Sequence, residues 1–150
     1  MAELVAGITL AGEGQDRVVW NVLGHRYWLK AESEGTFCFE TCDPPGTFVP
    51  RHIHPTQDEF IYMLEGRLDF LLDGREYFAT AGDFVRMPMN IPHGIFNKQE
   101  QTAKCFFWVS PTRKLYDLFW ALHAMKEPKP DEIVALSAKH EVVFLPPPAE

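Results

Sequence analysis

Between Pro50 and Pro55 the chain has almost no conformational freedom. Each proline fixes its own φ and pushes the residue before it towards extended backbone, and Ile53 between them is β-branched. The segment Arg51-His52-Ile53-His54 is therefore expected to be extended, and in an extended chain alternate side chains share a face. His52 and His54 then point the same way. A turn across Pro55 to Asp58 leads to Glu59, which opens the run Phe60-Ile61-Tyr62-Met63-Leu64. A carboxylate at that position can swing back beside the two imidazoles. Two nitrogens and one oxygen on one face make three ligands of a divalent metal, with positions left open. Taken alone, two histidines on one strand face are more often core or surface residues than ligands, so their surroundings decide.

Those surroundings are a series of short runs rich in β-branched and aromatic residues, separated by turn signals, with no helical pattern between them. Residues 17–23 and 26–31 form a hairpin about Gly24-His25, where His25 reads as a solvent-exposed turn histidine. Residues 36–41 alternate and stop at Asp43-Pro44-Pro45-Gly46. Glu65-Gly66 and Asp73-Gly74 are hairpin signals joining runs at 67–72 and 75–79. Runs at 83–87, 93–97 and 104–109 complete the set. This pattern predicts an all-β sandwich or jelly-roll barrel. By strand parity Ile61 and Met63 share the face of Glu59, and Leu68, Phe70 and Leu72 form the apolar face of the next strand. These five either line an apolar pocket around the metal or fill a solid core.

The chain is short enough for one domain over 1–150, with an N-terminal arm (1–16), a barrel (17–110) and a C-terminal extension (111–150). Ser110 as N-cap and Pro111 at the first helical position predict a helix whose apolar stripe is Leu115, Leu118, Phe119, Leu122 and Met125. After Glu127-Pro128-Lys129-Pro130 a second helix, capped by Asp131, carries Ile133, Val134 and Leu136 to about Lys139. An extended piece at 142–145 ends in Pro146-Pro147-Pro148. His123 and His140 are expected to be exposed. The stripe packs on the barrel, and in a minority use such an extension lies across the barrel mouth.

A fourth ligand candidate, His93, lies in Gly82-Asp-Phe-Val-Arg-Met-Pro-Met-Asn-Ile-Pro-His-Gly-Ile-Phe-Asn97. With it the sequence resembles the cupins. The stretch from Gly46 to Gly66 matches the first cupin motif through Gly46, His52, His54, Glu59 and Gly66. The second motif is matched by Gly82, Pro88, His93 and Asn97. Asn90 stands where that motif usually has glycine, and asparagine is the residue that best tolerates a left-handed backbone in its place. The resemblance implies a double-stranded β-helix barrel. The layout of one barrel followed by two short helices and a proline-rich end looks like the small quercetin 2,3-dioxygenase-like monocupins of bacteria.

Three imidazoles and a carboxylate suit one divalent iron, manganese, nickel, cobalt or zinc ion. The resemblance implies Glu59 as both ligand and general base, dioxygen as co-substrate, and a flavonol or enediol-type small molecule as substrate. A non-oxidative metal-dependent isomerase or lyase, or a binding cupin without turnover, are the alternatives on the same residues. A homodimer is expected from the family's habit and from the need to cover edge strands. A net charge of −7 argues against nucleic acid or an anionic membrane as partner. No apolar run is long enough to cross a bilayer, and the N-terminus carries Glu3 where a secretory leader is basic, so a cytoplasmic location is the default expectation. Cys38, Cys42 and Cys105 show no CxxC spacing and read as small apolar residues rather than ligands.

Overall fold

The computed structural model describes residues 3–146. Residues 3–14 are an exposed arm without regular structure, and a short 3-10 turn, Gln15–Arg17, leads into the sheet. The strands are β1 (Val19–Val22), β2 (His25–Glu32), β3 (Phe37–Asp43), β4 (Phe48–Ile53), β5 (Asp58–Glu65), β6 (Arg67–Leu72), β7 (Arg75–Thr80), β8 (Phe84–Met87), β9 (His93–Phe96) and β10 (Ala103–Ser110). Two helices follow, α1 (Leu115–Ala124) and α2 (Pro130–Lys139), and a two-residue strand β11 (Val143–Phe144) ends the described chain. The strands form two antiparallel sheets, ordered β1-β2-β3-β10-β5-β8 and β11-β4-β9-β6-β7. This is the jelly-roll arrangement that the alternating runs predict, with a short C-terminal helical extension. Among the described residues no helix is long and apolar enough to cross a membrane.

Local backbone demands explain the joints. The first hairpin turns on Leu23 and Gly24, both at positive φ (52° and 90°), as a two-residue type I′ turn requires. His25 is thus not a turn residue but the first residue of β2, and it is buried, at 4% exposure. A one-residue change of register moves a side chain to the opposite face of a strand, and this one carries His25 from solvent to the interior. Asp73 and Gly74 repeat the turn (51° and 81°). Gly66, at φ +75°, sits where a Cβ would come within 2.9 Å of the Thr102 carbonyl oxygen, so both conformation and space exclude larger residues. Asn90 adopts φ +65°, the left-handed backbone its side chain tolerates, and its N–H donates to the His54 carbonyl (3.1 Å).

The helix starts differ from expectation. Ser110 stays in the sheet, paired in register with Asp58, and its hydroxyl lies 3.2 Å from that of Thr36. Pro111 follows through a cis peptide bond, and α1 begins at Leu115, flanked by Lys114 with no side-chain cap. The N-cap of α2 is Lys129, with Pro130 in the first turn. Asp131 lies inside that turn, where its charge favours the positive helix end without capping it. Pro147 and Pro148 lie outside the described residues. The stripe itself is as read: Leu115, Leu118, Phe119 and Leu122 are buried and Met125 packs partly against the core. They dock on Trp20, whose ring meets Phe37, Tyr116, Phe119 and Trp120 edge-on with centroids 5.6–5.8 Å apart.

Candidate metal centre

The strand β4 lies in the five-stranded sheet and β5 in the six-stranded one, so the corner at 54–57 carries the chain from one sheet to the other. His52 on β4 is the cross-strand partner of His93, the first residue of β9, and their ring centroids are 4.3 Å apart. His54, just past the end of β4, lies 5.1 Å from His52 and 5.3 Å from His93. One ligand atom from each of the three lies within 4.8 Å of the others. Glu59, from the opposite sheet, brings Oε2 to 3.3 Å from His54 Nε2 and Oε1 to 3.8 Å from His93 Nε2. All four side chains are buried.

Each imidazole is held through its Nδ1. Oxygens take the three N–H groups: Pro50 O for His52 (2.8 Å), Gln57 Oε1 for His54 (2.6 Å) and Ile91 O for His93 (3.1 Å). Acceptors of this kind fix the Nδ1–H tautomer and leave Nε2 as the lone-pair donor, the arrangement metal-ligating histidines need. Gln57 is itself clamped, its amide donating to the carbonyls of Pro111 (2.9 Å) and Thr112 (3.1 Å). Among the described residues His93 Nε2 is buried with no hydrogen-bond partner. A buried nitrogen lone pair beside two more imidazoles and a carboxylate is a donor set that fits a divalent transition metal.

Electrostatics agree with that fit. Burial, then the neighbouring His93 and His54, hold His52 well below the usual imidazole range. Burial brings His54 down to about 4 and lowers His93 as well. Burial raises Glu59, with His93 opposing. The consequence for the metal-free protein has a definite sign. Imidazoles with lowered folded-state values take up protons later than in the unfolded chain, so they leave stability unchanged above pH ~6.5 and erode it as pH falls towards ~4. The raised Glu59 works the other way, adding stability as pH falls through its folded value, but it is one group against three. Denaturant unfolding of metal-free protein should show clearly lower stability at pH 5 than at pH 7.5, with at most ~1.4 kcal/mol per pH unit for each imidazole; equal stability at both would contradict the site's electrostatics.

A cavity of about 80 Å³ adjoins the cluster, reached by His52, His54 and Glu59. Its other walls are Val49 and Ile95 from one sheet, Tyr27, Phe39 and Phe107 from the other, and Leu118 and Phe119 of α1. Ser137 of α2 and Val142 and Phe144 of the tail close it. The C-terminal extension therefore supplies one side of the cavity. The sequence-derived pocket residues lie elsewhere: Ile61, Met63, Leu68 and Phe70 are fully buried in the packed core, Leu72 is half-buried, and none of the five borders this cavity. Ile61, Met63 and Leu68 pack in the core, while Phe70 and Leu72 border a separate cleft with Tyr77, Phe78 and Phe84. Cys38 and Cys42 are half-buried and stand outside the histidine group. His123 is exposed and accepts from the Asn21 N–H (3.0 Å), while His140 is half-buried and hydrogen-bonded to Leu136 O (2.8 Å).

The fold has counterparts among known proteins. Residues 39–110 match the family described as Cupin domain. The polyketide synthase protein CurC of Streptomyces cyaneus is 34% identical over 45% of this chain and 44% of its own length. The quercetin 2,3-dioxygenase of Bacillus subtilis (strain 168) is 33% identical over 38% of this chain and 17% of its own. The chain thus spans less than half the length of these curated relatives. Among solved structures, an RmlC-like cupin from Shewanella frigidimarina superposes with a TM-score of 0.66 at 16% identity, over 77% of this chain and 99% of that one.

Proposed function

Because this chain is a small protein of the cupin superfamily, we propose that it is a metal-dependent enzyme acting on a small molecule that chelates through two adjacent oxygens, with quercetinase-like dioxygenation as its reaction. The observation that carries this reading is the convergence of His52, His54, His93 and Glu59, each imidazole tethered at Nδ1 with Nε2 directed inward. These four side chains would hold the ion, which supplies Lewis-acid stabilisation of a deprotonated substrate oxygen. Glu59 is the one ionisable carboxylate in contact with the imidazoles, and its raised affinity for protons suits a general base. It takes the proton of the substrate hydroxyl onto a carboxylate oxygen, and the apolar walls exclude water from the anion that results. In a dioxygenation that anion is oxidised by dioxygen, which is reduced and incorporated.

The cavity favours small substrates. Its 80 Å³ is several times the ~10–15 Å³ that a single water needs, so it admits a few waters or a small polar molecule. An enediol or hydroxy-carbonyl compound of a few heavy atoms is the substrate this size suits best. The same size supports a second reading, a non-oxidative isomerase or lyase in which Glu59 moves a proton on an enediolate. Oxygen uptake, measured beside anaerobic solvent-deuterium incorporation into small hydroxy-carbonyl compounds, separates the two. Glu59→Gln should keep its metal at saturating concentration and lose either activity by about a hundredfold or more. Neither uptake nor exchange with any metal of the set would leave a binding protein without turnover. Homodimerisation belongs to the same reading. It is supported by the exposed Leu4, Val5, Ile8 and Leu10 of the arm and by Phe84 and Tyr62 on the outer sheet face, and a monomer in sedimentation at micromolar concentration would refute it.

A further inference from the structure

A second hollow shares walls with the cavity at the histidine cluster. It is a groove of about 430 Å³, lined mainly by Leu23 of the first hairpin turn, Phe48 and Pro50 of β4, Ile133 and Val134 of α2, and Phe144 of β11. Thr47 is the one polar side chain among its described walls, and its hydroxyl already donates to Pro44 O (2.6 Å). Leu23, Phe48 and Val134 are 39%, 54% and 44% exposed, so large apolar side chains face water together instead of singly.

Two walls belong to both spaces. Leu23 and Phe144 line the groove and also the cavity reached by His52, His54 and Glu59. Phe144 ties the groove to the cluster directly, since it is the register partner of His52 and its ring centroid lies 5.4 Å from that imidazole. The groove thus runs up to the ring that packs on a candidate ligand. Leu23 supplies a second, independent observation. It stands at φ +52° in the first position of a type I′ turn, where asparagine or aspartate is favoured and leucine is strained. Such strain persists where the residue serves another purpose, and a side chain this exposed is not held there by core packing. What Leu23 does contribute is a wall common to cavity and groove.

We propose that the groove takes the hydrocarbon substituent of a ligand whose chelating head sits at the histidine cluster, the two parts meeting between Leu23 and Phe144. The substrate class is then a hydroxy-carbonyl or enediol head of a few heavy atoms that carries an apolar chain. The inference rests on the metal-centre reading, since the cluster holds the head. Its driving force is removal of apolar surface from water, which grows with each methylene laid in the groove.

Acetohydroxamic and octanohydroxamic acid, one chelating head with two chain lengths, test this without turnover. Each would be titrated calorimetrically into the zinc-loaded protein. The octano compound should bind about sixtyfold more tightly, roughly twofold for each added methylene half-buried in an open groove. The acetyl compound, too short to reach the groove, is the internal reference. Leu23→Asn and Val134→Glu should each cut the ratio severalfold with zinc content unchanged. Leu23→Asn should also unfold at no lower denaturant concentration than wild type, because asparagine suits the left-handed backbone, so its weaker binding is not a failure of the fold. Equal affinity for the two acids in wild type overturns the proposal and leaves the groove to another occupant, such as a second copy of the chain. A chain-length preference that survives both variants overturns it as well. Failure of wild type to bind zinc would instead overturn the metal centre on which the proposal stands.

Discussion

Protein carrying His52→Ala and His54→Ala will hold almost no metal, where the unaltered chain holds about one equivalent after reconstitution and desalting. The two substitutions remove half of the four-ligand set and leave His93 and Glu59, from different sheets, without the shared ion. Stabilisation by metal should vanish with it. At a metal concentration about a hundredfold above the dissociation constant, binding adds ~2.7 kcal/mol to wild-type stability, and the variant's unfolding curve should not move on metal addition. Gln57→Ala should fall between the two. It leaves every ligand in place but frees the His54 ring, and losing such a support weakens metal affinity by about 10–100-fold. Metal content unaffected by the double substitution would place the ion elsewhere and overturn the centre.

Trp20→Ala should destabilise the fold by about 3–5 kcal/mol, the range for removing a large aromatic side chain from a packed core. Trp20 is wholly inaccessible and is the point at which β1 and α1 meet. Denaturant midpoints measure the loss. Trp20→Phe should recover much of it, because the indole N–H has no hydrogen-bond partner among the described residues and only volume and ring edges are at stake. A change below ~1 kcal/mol for Trp20→Ala would mean that α1 is not anchored through this ring.

The strands and the convergence of His52, His54, His93 and Glu59 were legible because each is dictated locally. The prolines around His52 and His54 force extension, the glycine turns at 66 and 74 set hairpins, and parity then fixes the faces. His25 was missed for a reason equally local. Placing the turn at Gly24-His25 rather than Leu23-Gly24 shifts one residue and reverses the face, and only the leucine's unusual positive φ shows the difference. Gln57 could have been suspected from its place three residues after His54, but its clamp is the carbonyls of Pro111 and Thr112, far off in sequence. The pocket walls were not legible either. Parity says which side chains point inward, not at which level of the barrel space remains, and that depends on the walls supplied by α1, α2 and the tail. The helix starts failed where Ser110 found a better use in the sheet.

The tail is stitched to β4, the strand that bears His52. Phe144 on β11 is the register partner of His52, their rings lie 5.4 Å apart, Leu145 N–H donates to Arg51 O (2.9 Å), and Arg51 Nη2 donates to Pro146 O (2.8 Å). The segment that borders the cavity is thus the same one that braces the backbone between the two prolines. Loosening those two residues of ladder would expose one wall of the cavity and slacken the strand presenting His52. The wall of the cavity and the placement of the His52 ring are then mechanically coupled.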